Sequence, residues 1–415
     1  MITRSRHWLI SSRQRDGNDI IIVRNHVHRM FSTSLPPPTI IFSNHHMLVV
    51  HKPAGWRSIP LDANDPAEWS ARNNNNISDN KCLLSYLRNQ RLGGGSQQDY
   101  LKPVHRLDQP CTGLLVFAKN TKAASRIQRA WADRHVQKEY YCVVQHDDNA
   151  IQQLRQNAWK RQEVQKWIPS SSSSLILPDT KRTHKNNAVP WSGDRGWNDP
   201  NKVFVLGGLL RKSQQGRGSV HVTPLRGDWK RYFERKQKAY HQSTKGNHKK
   251  TDRNNQTKTT RNDGTFCCLE FRFLGAISKH GLDQKPTNKP EALFTRKVPD
   301  DRKKETIHSS GRTEQSLQLL AIRTNMGLRH QIRAMLASIG GCPILGDLRY
   351  GNNQNSNNKT KPLPDQSVAL HARTVYMPTV QLGGTDLTSQ PFMAPIPTTW
   401  KDFFALTEEQ LRKKR

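Results

Sequence analysis

The chain has 415 residues of which 34% are hydrophobic, too few for a continuous core along its whole length, so one catalytic-size domain with poorly ordered segments is the first bound. Lys and Arg number 66 against 33 Asp and Glu, and the resulting charge of +33 points to a polyanionic partner, nucleic acid ahead of an anionic membrane surface. A mean hydropathy of −0.82 and the lack of an apolar run of about 18 residues exclude a transmembrane helix. Of six cysteines only Cys267 and Cys268 are close in sequence, so no CxxC or zinc-ligand spacing exists. Cys82, Cys111, Cys142 and Cys342 sit among apolar residues and read as small buried hydrophobes in a reducing compartment. The 17 histidines include no HExxH pair, and no metal is expected.

In chain order, residues 1–34 carry Arg4, Arg6, Arg13, Arg15, Arg24 and Arg29 against Asp16 and Asp19, the pattern of an organelle transit peptide. Arg29-Met-Phe-Ser-Thr-Ser34 resembles a mitochondrial processing site, which makes a mitochondrial address the expectation, with plastid, nucleolar and cytosolic ones as alternatives. Pro36 to Pro38 fix an extended hinge, so the domain starts near Thr39 and residues 1–38 are an extension. IIF and MLVV predict two strands before an HKPAG turn, and residues 81–92 predict a short helix stopped by Gly93 to Gly95. After a strand over 114–118, Thr121 is expected to cap a helix with Ala123, Ala124, Ile127, Ala130 and Trp131 on its apolar face. Lys138 to Val144 returns as a strand.

Residues 151–315 hold 34 Lys and Arg against 15 Asp and Glu, with a serine run at 170–174, and read as largely disordered. Low-complexity insertions are expected near 151–200, 226–263 and 277–315, with strand islands at 203–210, 219–222 and 267–275. A strand from Ser316 through Thr324 precedes an amphipathic helix burying Ile332, Met335, Leu336 and Ile339, and Val368 to Met377 is a further strand. The domain is expected to span 39–405, leaving a basic tail over 406–415.

The segment Lys102 to Lys119 places His105, Arg106 and Asp108 on a polar turn between apolar elements. Read from the residues alone, Asp108 is open between a nucleophile, a base and a turn cap. The string HRLDQPCTGLLVFAK resembles the HRLDxxTSGLLLxAK signature of RluA-type pseudouridine synthases, and four more segments match that family in order. VVHKPAGWRSIP at 49–60 is similar to its NKPAGxxxxP, KEYYCVV at 138–144 to its KxYxAxV, HQIRAMLASIGGCPILGDLRYG at 330–351 to its HQIRxHLxxIGxPIxGDxxYG, and LHAR at 370–373 to its terminal strand. Pro110, Cys111 and Thr112 depart from the commoner Asp, Thr and Ser, and Leu328 and Arg329 from Arg and Thr.

The resemblance implies an α/β fold of the α+β kind, a mixed and largely antiparallel sheet flanked by helices. It implies an isomerase that converts uridine to pseudouridine in structured ribosomal or transfer RNA, breaking N1–C1′ and joining C1′ to C5, with no cofactor. By the same resemblance Asp108 is the nucleophile, Tyr140 stacks on the base and assists proton transfer, and Arg333 pairs with Asp108. Arg106, His105, Gly113, His330 and Gln331 form the expected substrate-binding surround. Of these, Arg106 fills the vacancy of the extruded base, His105 and His330 are hydrogen-bonding scaffold, and Gly113 permits close backbone packing. The rival reading is a non-catalytic RNA-binding or ribosome-assembly factor that keeps the fold.

Overall fold

The computed structural model describes residues 10–15, 18–23, 35–60, 81–95, 100–146, 148–167, 195–197, 199, 201–213, 219–225, 231, 264–277, 316–324, 326–351, 363–377, 380–382, 385–386 and 391–413. Its frame is a 12-stranded sheet. Nine of these strands form one continuous path: β1 Thr39–Ser43, β2 Met47–Lys52, β3 Thr112–Ala118, β4 Gln137–His146, β5 Phe204–Lys212, β6 Val220–Pro224, β7 Thr265–Ile277, β8 Ser316–Arg323 and β9 Leu370–Tyr376. Their order is β6-β5-β7-β8-β4-β9-β3-β2-β1, and the other three strands are two-residue pieces beside it. Every pairing along the path is antiparallel except β9 with β3. The fold is therefore the mixed, largely antiparallel α+β architecture expected. Outside it, Ile10–Arg15 pairs antiparallel with Asn18–Val23.

Burial explains why the sequence forms these strands. Central β3 (TGLLVFA) and β9 (LHARTVY) are buried at every position, so they read as unbroken runs rather than alternations. Edge strand β6 (VHVTP) alternates, with Val220 and Val222 buried and His221 and Thr223 exposed. Helix α1 (Leu83–Asn89) covers β2 and β3 through Leu83, Leu84 and Leu87 packed on Leu48, Val50, Leu115 and Phe117. Helix α2 (Thr121–Ala132) covers the same strands through Ala123, Ala124, Ile127 and Ala130 against Met47, Val49, Leu114 and Val116. Since Leu48 and Val49 alternate along β2, the two helices lie on opposite faces.

Several details depart from the sequence reading. The cap of α2 is Asn120, whose side chain accepts the Ala123 N–H at 2.8 Å, so Thr121 is the first helical residue. Within the region expected to be an insertion, Asp148–Asn157 (α3) and Arg161–Trp167 (α4) are helical, and Trp197 is buried. Residues 168–194, 232–263 and 278–315 lie outside the described residues. Helix α5 (Gln331–Ser338) is not amphipathic at its start, because Gln331 and Arg333 are buried together with Ile332, Ala334, Met335 and Leu336. After α6 (Thr398–Phe404), the expected basic tail is helix α7 (Glu408–Lys413), held by buried Leu411 and by ion pairing of Glu408 with Arg373 of β9. All six cysteines are free and buried. Among the described residues no helix is long and apolar enough to cross a membrane.

The one parallel contact brings β3 against β9 over two residue pairs, Thr112 with His371 and Gly113 with Ala372. Gly113 has φ +121°, and a Cβ there would lie 2.3 Å from Ala372 O and 2.5 Å from Ala372 N. Backbone cannot yield as a flexible side chain would. The substitution Gly113→Ala is expected to cost about 3 kcal/mol, read as a fall in Tm; an unchanged Tm would show that the strands can part without loss.

Candidate active site

The β3–β9 contact places one loop and one helix at the centre of the sheet. Asp108 lies in the loop leading into β3, where a turn closes as the Cys111 N–H donates to Asp108 O at 3.0 Å. Asp108 is 20% exposed at the floor of a cleft that opens to solvent. Arg106, Asp108, Tyr140, His330, Gln331 and Arg333 all line it, joined by Thr324, Met326 and Leu370. The structure thus gathers residues separated by 225 positions in sequence, as the Asp108–Arg333 hydrogen bond records.

Arg333 enters from the buried first turn of α5 and uses its guanidinium on two carboxylates. Nη1 donates to Asp108 Oδ2 at 2.8 Å, while Nε and Nη2 donate to the two oxygens of Asp347, each at 2.8 Å. Asp347 is fully buried and its Oδ1 also accepts the N–H groups of Arg349 and Tyr350 at 3.1 and 3.2 Å. A bidentate pair fixes the plane of the guanidinium and with it the directions of the three remaining N–H groups, one of which, on Nη1, points at Asp108. Sequence reasoning passed over Asp347, although it stands inside the GDLRYG segment; a turn aspartate gives no signal of having a buried arginine above it.

Burial raises the Asp108 carboxyl pKa, but His330, the charge and hydrogen bond of Arg333, and Arg106 together hold it below the ordinary carboxylate range. Desolvation pulls His330 down to about 4, so at neutral pH it is uncharged and the permanent cations acting on Asp108 are Arg333, which is bonded to it, and Arg106. His330 Nε2 is 3.6 Å from Asp108 Oδ2, and Nδ1 is 2.9 Å from the Tyr350 hydroxyl, which itself accepts the Val220 N–H at 3.1 Å. Tyr140 projects from β4 into the cleft. Burial, then Cys111 and Asp108, push its phenol far above the ordinary value, so it stands at neutral pH as a protonated ring with a hydroxyl to donate.

The remaining expected residues separate into two kinds. Arg106 is exposed at the mouth of the cleft. Gln331 lines the cleft, but its amide is committed to the protein, donating to Cys268 O at 2.8 Å and Thr324 Oγ1 at 3.2 Å. His105 is not a lining residue: its Nε2 accepts the Val116 N–H at 3.1 Å and its ring stacks on Trp131 at 4.7 Å, and burial pulls it down to about 3. It is scaffold alone, because its ring lies outside the lining, bonded to a strand amide and stacked on Trp131. Gly113 also stands outside the lining and acts through the close approach of β9. Among the described residues no three metal-ligating side chains gather.

A carboxyl with a depressed folded pKa stabilises the fold above its unfolded value near 3.9 and loses that contribution as pH falls through the folded one. Replacing Arg333 by Gln removes the cation and leaves the burial, so the Asp108 midpoint is expected to rise above about 3.9. Carboxyl-carbon NMR titration of wild type and Arg333→Gln checks this; coincident midpoints would contradict it.

The family model for RNA pseudouridylate synthases matches residues 46–338, a span containing Asp108, Tyr140 and Arg333. Dual-specificity RNA pseudouridine synthase RluA of Vibrio vulnificus (strain CMCP6) is 33% identical over 117 residues, 26% of this chain and 37% of that protein. Ribosomal large subunit pseudouridine synthase D of Zymomonas mobilis subsp. mobilis (strain ATCC 31821 / ZM4 / CP4) is 33% identical over 109 residues, 26% of this chain and 31% of that protein. The matched stretch spans about a third of each relative's length. The solved structure of Human RNA Pseudouridylate Synthase Domain Containing 1 aligns with a TM-score of 0.45 at 13% identity, covering 92% of this chain and 96% of that one. With the match running over well more than half of its length and through the cleft just described, this chain belongs to the RNA pseudouridylate synthase family.

Proposed function

We propose that the protein isomerises specific uridines to pseudouridine in ribosomal or transfer RNA, through Asp108 and without a cofactor. The observation that carries this reading is the single carboxylate at the floor of the cleft, kept ionised by Arg333 and faced by the neutral phenol of Tyr140. An isomerisation that breaks N1–C1′ and forms C5–C1′ is redox-neutral: the base leaves carrying the bonding pair, reattaches through C5, and the C5 proton is lost as N1 gains one. It requires a group to add to, or stabilise, the separated fragments, and an oriented carboxylate suffices. Arg333 keeps Asp108 anionic in that desolvated setting and fixes where it points. Tyr140 stacks on the base and, holding its own proton, assists transfer as a donor rather than as a phenolate base.

A stacked uridine cannot reach this floor, so the target is extruded, and Arg106 at the mouth takes the place it vacates. Arg329 and Arg349 are exposed next to His330 and Tyr350, the pair beside Asp108, and they suit the phosphates flanking an extruded nucleotide. This supports RNA as the partner. The names of the relatives include a tRNA pseudouridine synthase and a ribosomal large subunit synthase, so the substrate search spans both RNA types. Pseudouridine mapping of total and organellar RNA, in cells lacking the gene and supplied with wild type or Asp108→Ala, is expected to show one or a few sites lost with the variant alone. Identical maps, with RNA affinity intact, would favour a binding factor.

We also propose a mitochondrial address, on the Arg-rich, acid-poor residues 1–34. A fluorescent reporter fused to residues 1–38 is expected to enter mitochondria, and a diffuse cytosolic signal would sink the assignment.

A further inference from the structure

Asp108 sits in a loop outside the sheet ladder, so something other than strand pairing must hold its backbone. Its two chain neighbours are tied to one distant segment, residues 52–58. On the N-terminal side, the buried Ser58 hydroxyl donates to Leu107 O at 2.7 Å and accepts the Leu107 N–H at 3.0 Å. One oxygen thereby satisfies both backbone groups of the residue between Arg106 and Asp108, which a hydroxyl alone among small side chains can do, having a donor and acceptor lone pairs. On the C-terminal side, the Gly55 N–H donates to Gln109 O at 3.0 Å, and the Gln109 amide returns a bond to Gly55 O at 3.0 Å. The fully buried Lys52 ammonium adds a third tie to Gln109 O at 3.1 Å, while its other bonds, to Pro53 O and Trp56 O at 3.0 and 2.9 Å, shape residues 52–58 themselves.

We propose that Ser58 is a positioning residue for Asp108: with Gly55 and Lys52 it forms a bracket that fixes the peptide units on both sides of the aspartate. The inference rests on the proposed synthase activity and deepens it. Arg333 sets the direction of the carboxylate from in front; the bracket sets the backbone from behind, and both are needed for a nucleophile whose reach is fixed to a fraction of an ångström. Ser58 does not itself line the cleft, and it is bonded to the backbone of Leu107, which does, so its effect passes through Leu107. Removing the hydroxyl leaves the Leu107 N–H and C=O buried without their partner, and the loop then turns toward other partners.

The test uses the full chain with Ser58→Ala and Ser58→Thr, acting on total ribosomal and transfer RNA from cells lacking the gene, with pseudouridine counted by mass spectrometry. For Ser58→Ala the expected result is a fall in kcat of about ten-fold or more with an unchanged half-saturating RNA concentration. Ser58→Thr, which keeps the hydroxyl, is expected to recover most of it. Hydrogen exchange of the amides over 107–109 is expected to quicken in Ser58→Ala while those of α5 hold. Gln109→Ala, at an exposed position, removes one tie without threatening the fold and is expected to lower kcat by less, again at unchanged half-saturation. Wild-type kcat and exchange in Ser58→Ala would overturn the proposal, as would a loss of activity that follows Tm with threonine no better than alanine. If wild type isomerises no RNA, the activity reading fails, and the exchange data still decide whether the bracket holds the loop.

Discussion

A guanidinium is charged at every accessible pH, so burying Arg333 is tolerable only if its donors are met. Asp347 and Asp108 meet them from two sides, and the consequences spread outward from that necessity. The Asp347 pair is closed, fully buried and bidentate, which neutralises the cation and locks its plane. Of the three N–H groups left, one on Nη1 is given to Asp108, at a partly exposed site. The arrangement is asymmetric in a useful way: one carboxylate is used up in holding the arginine, and the other is held by it and free on its remaining oxygen. Breaking such a buried pair by removing one partner costs about 3–5 kcal/mol, far more than the pair adds over an apolar replacement, so its presence is better explained by orientation than by stability.

That ion pair can form only because the sheet changes direction where it does. Antiparallel strands joined by short turns would keep the loop before β3 at one edge; the parallel contact of β9 with β3 instead inserts the C-terminal strand into the middle of the sheet, beside the Asp108 loop. The contact is only two residue pairs long and needs a residue without a Cβ at Gly113. Thr112, next to it, places Oγ1 2.9 Å from Nδ1 of buried His371, a side-chain bond across the junction. Thr112 stands where serine is commoner in the family signature, and it keeps the hydroxyl that this bond uses.

Much of the frame was legible because buried strands and helices leave apolar runs of characteristic length: β2, β3, β7, β8, α2 and α5 each appear within a few residues of their expected bounds. What could not be read were features set by a single side chain reaching across the fold. Asp347 and Ser58 in loops, and Lys52 at the end of β2, are ordinary polar residues, and only their partners, brought from elsewhere, give them a role. His105 is the converse case: grouped with the substrate-binding surround but read as hydrogen-bonding scaffold, it adjoins Arg106 in the motif, yet the loop turns it toward Val116 and Trp131, away from the cleft. The C-terminal helix was missed because its charge suggested a tail, whereas Leu411 and Glu408 supply one apolar and one ionic anchor.

The side of the sheet behind Tyr140 shows the same logic on a larger scale. Neighbours in a strand face opposite ways, so as Tyr140 enters the cleft, Glu139 points to the other face. There Glu139, Arg323 and Glu270 stand opposite one another on β4, β8 and β7, alternating in charge, and Arg161 pairs with Glu270 at 3.0 Å. Trp197 closes the row: its Nε1 donates to Glu139 at 2.8 Å and its ring lies 4.3 Å from the Arg323 guanidinium carbon. A one-residue slip of β4 against β8 would set Glu139 against an apolar neighbour and turn Tyr140 out of the cleft, so the ion row fixes the register on which the site depends. Trp197 and Arg161 come from the stretch whose composition reads as low-complexity insertion. Composition averages over many residues, while a register is set by the few that are buried, and that is why a polar, basic segment still contributes the plug that holds the strand bearing Tyr140 in place.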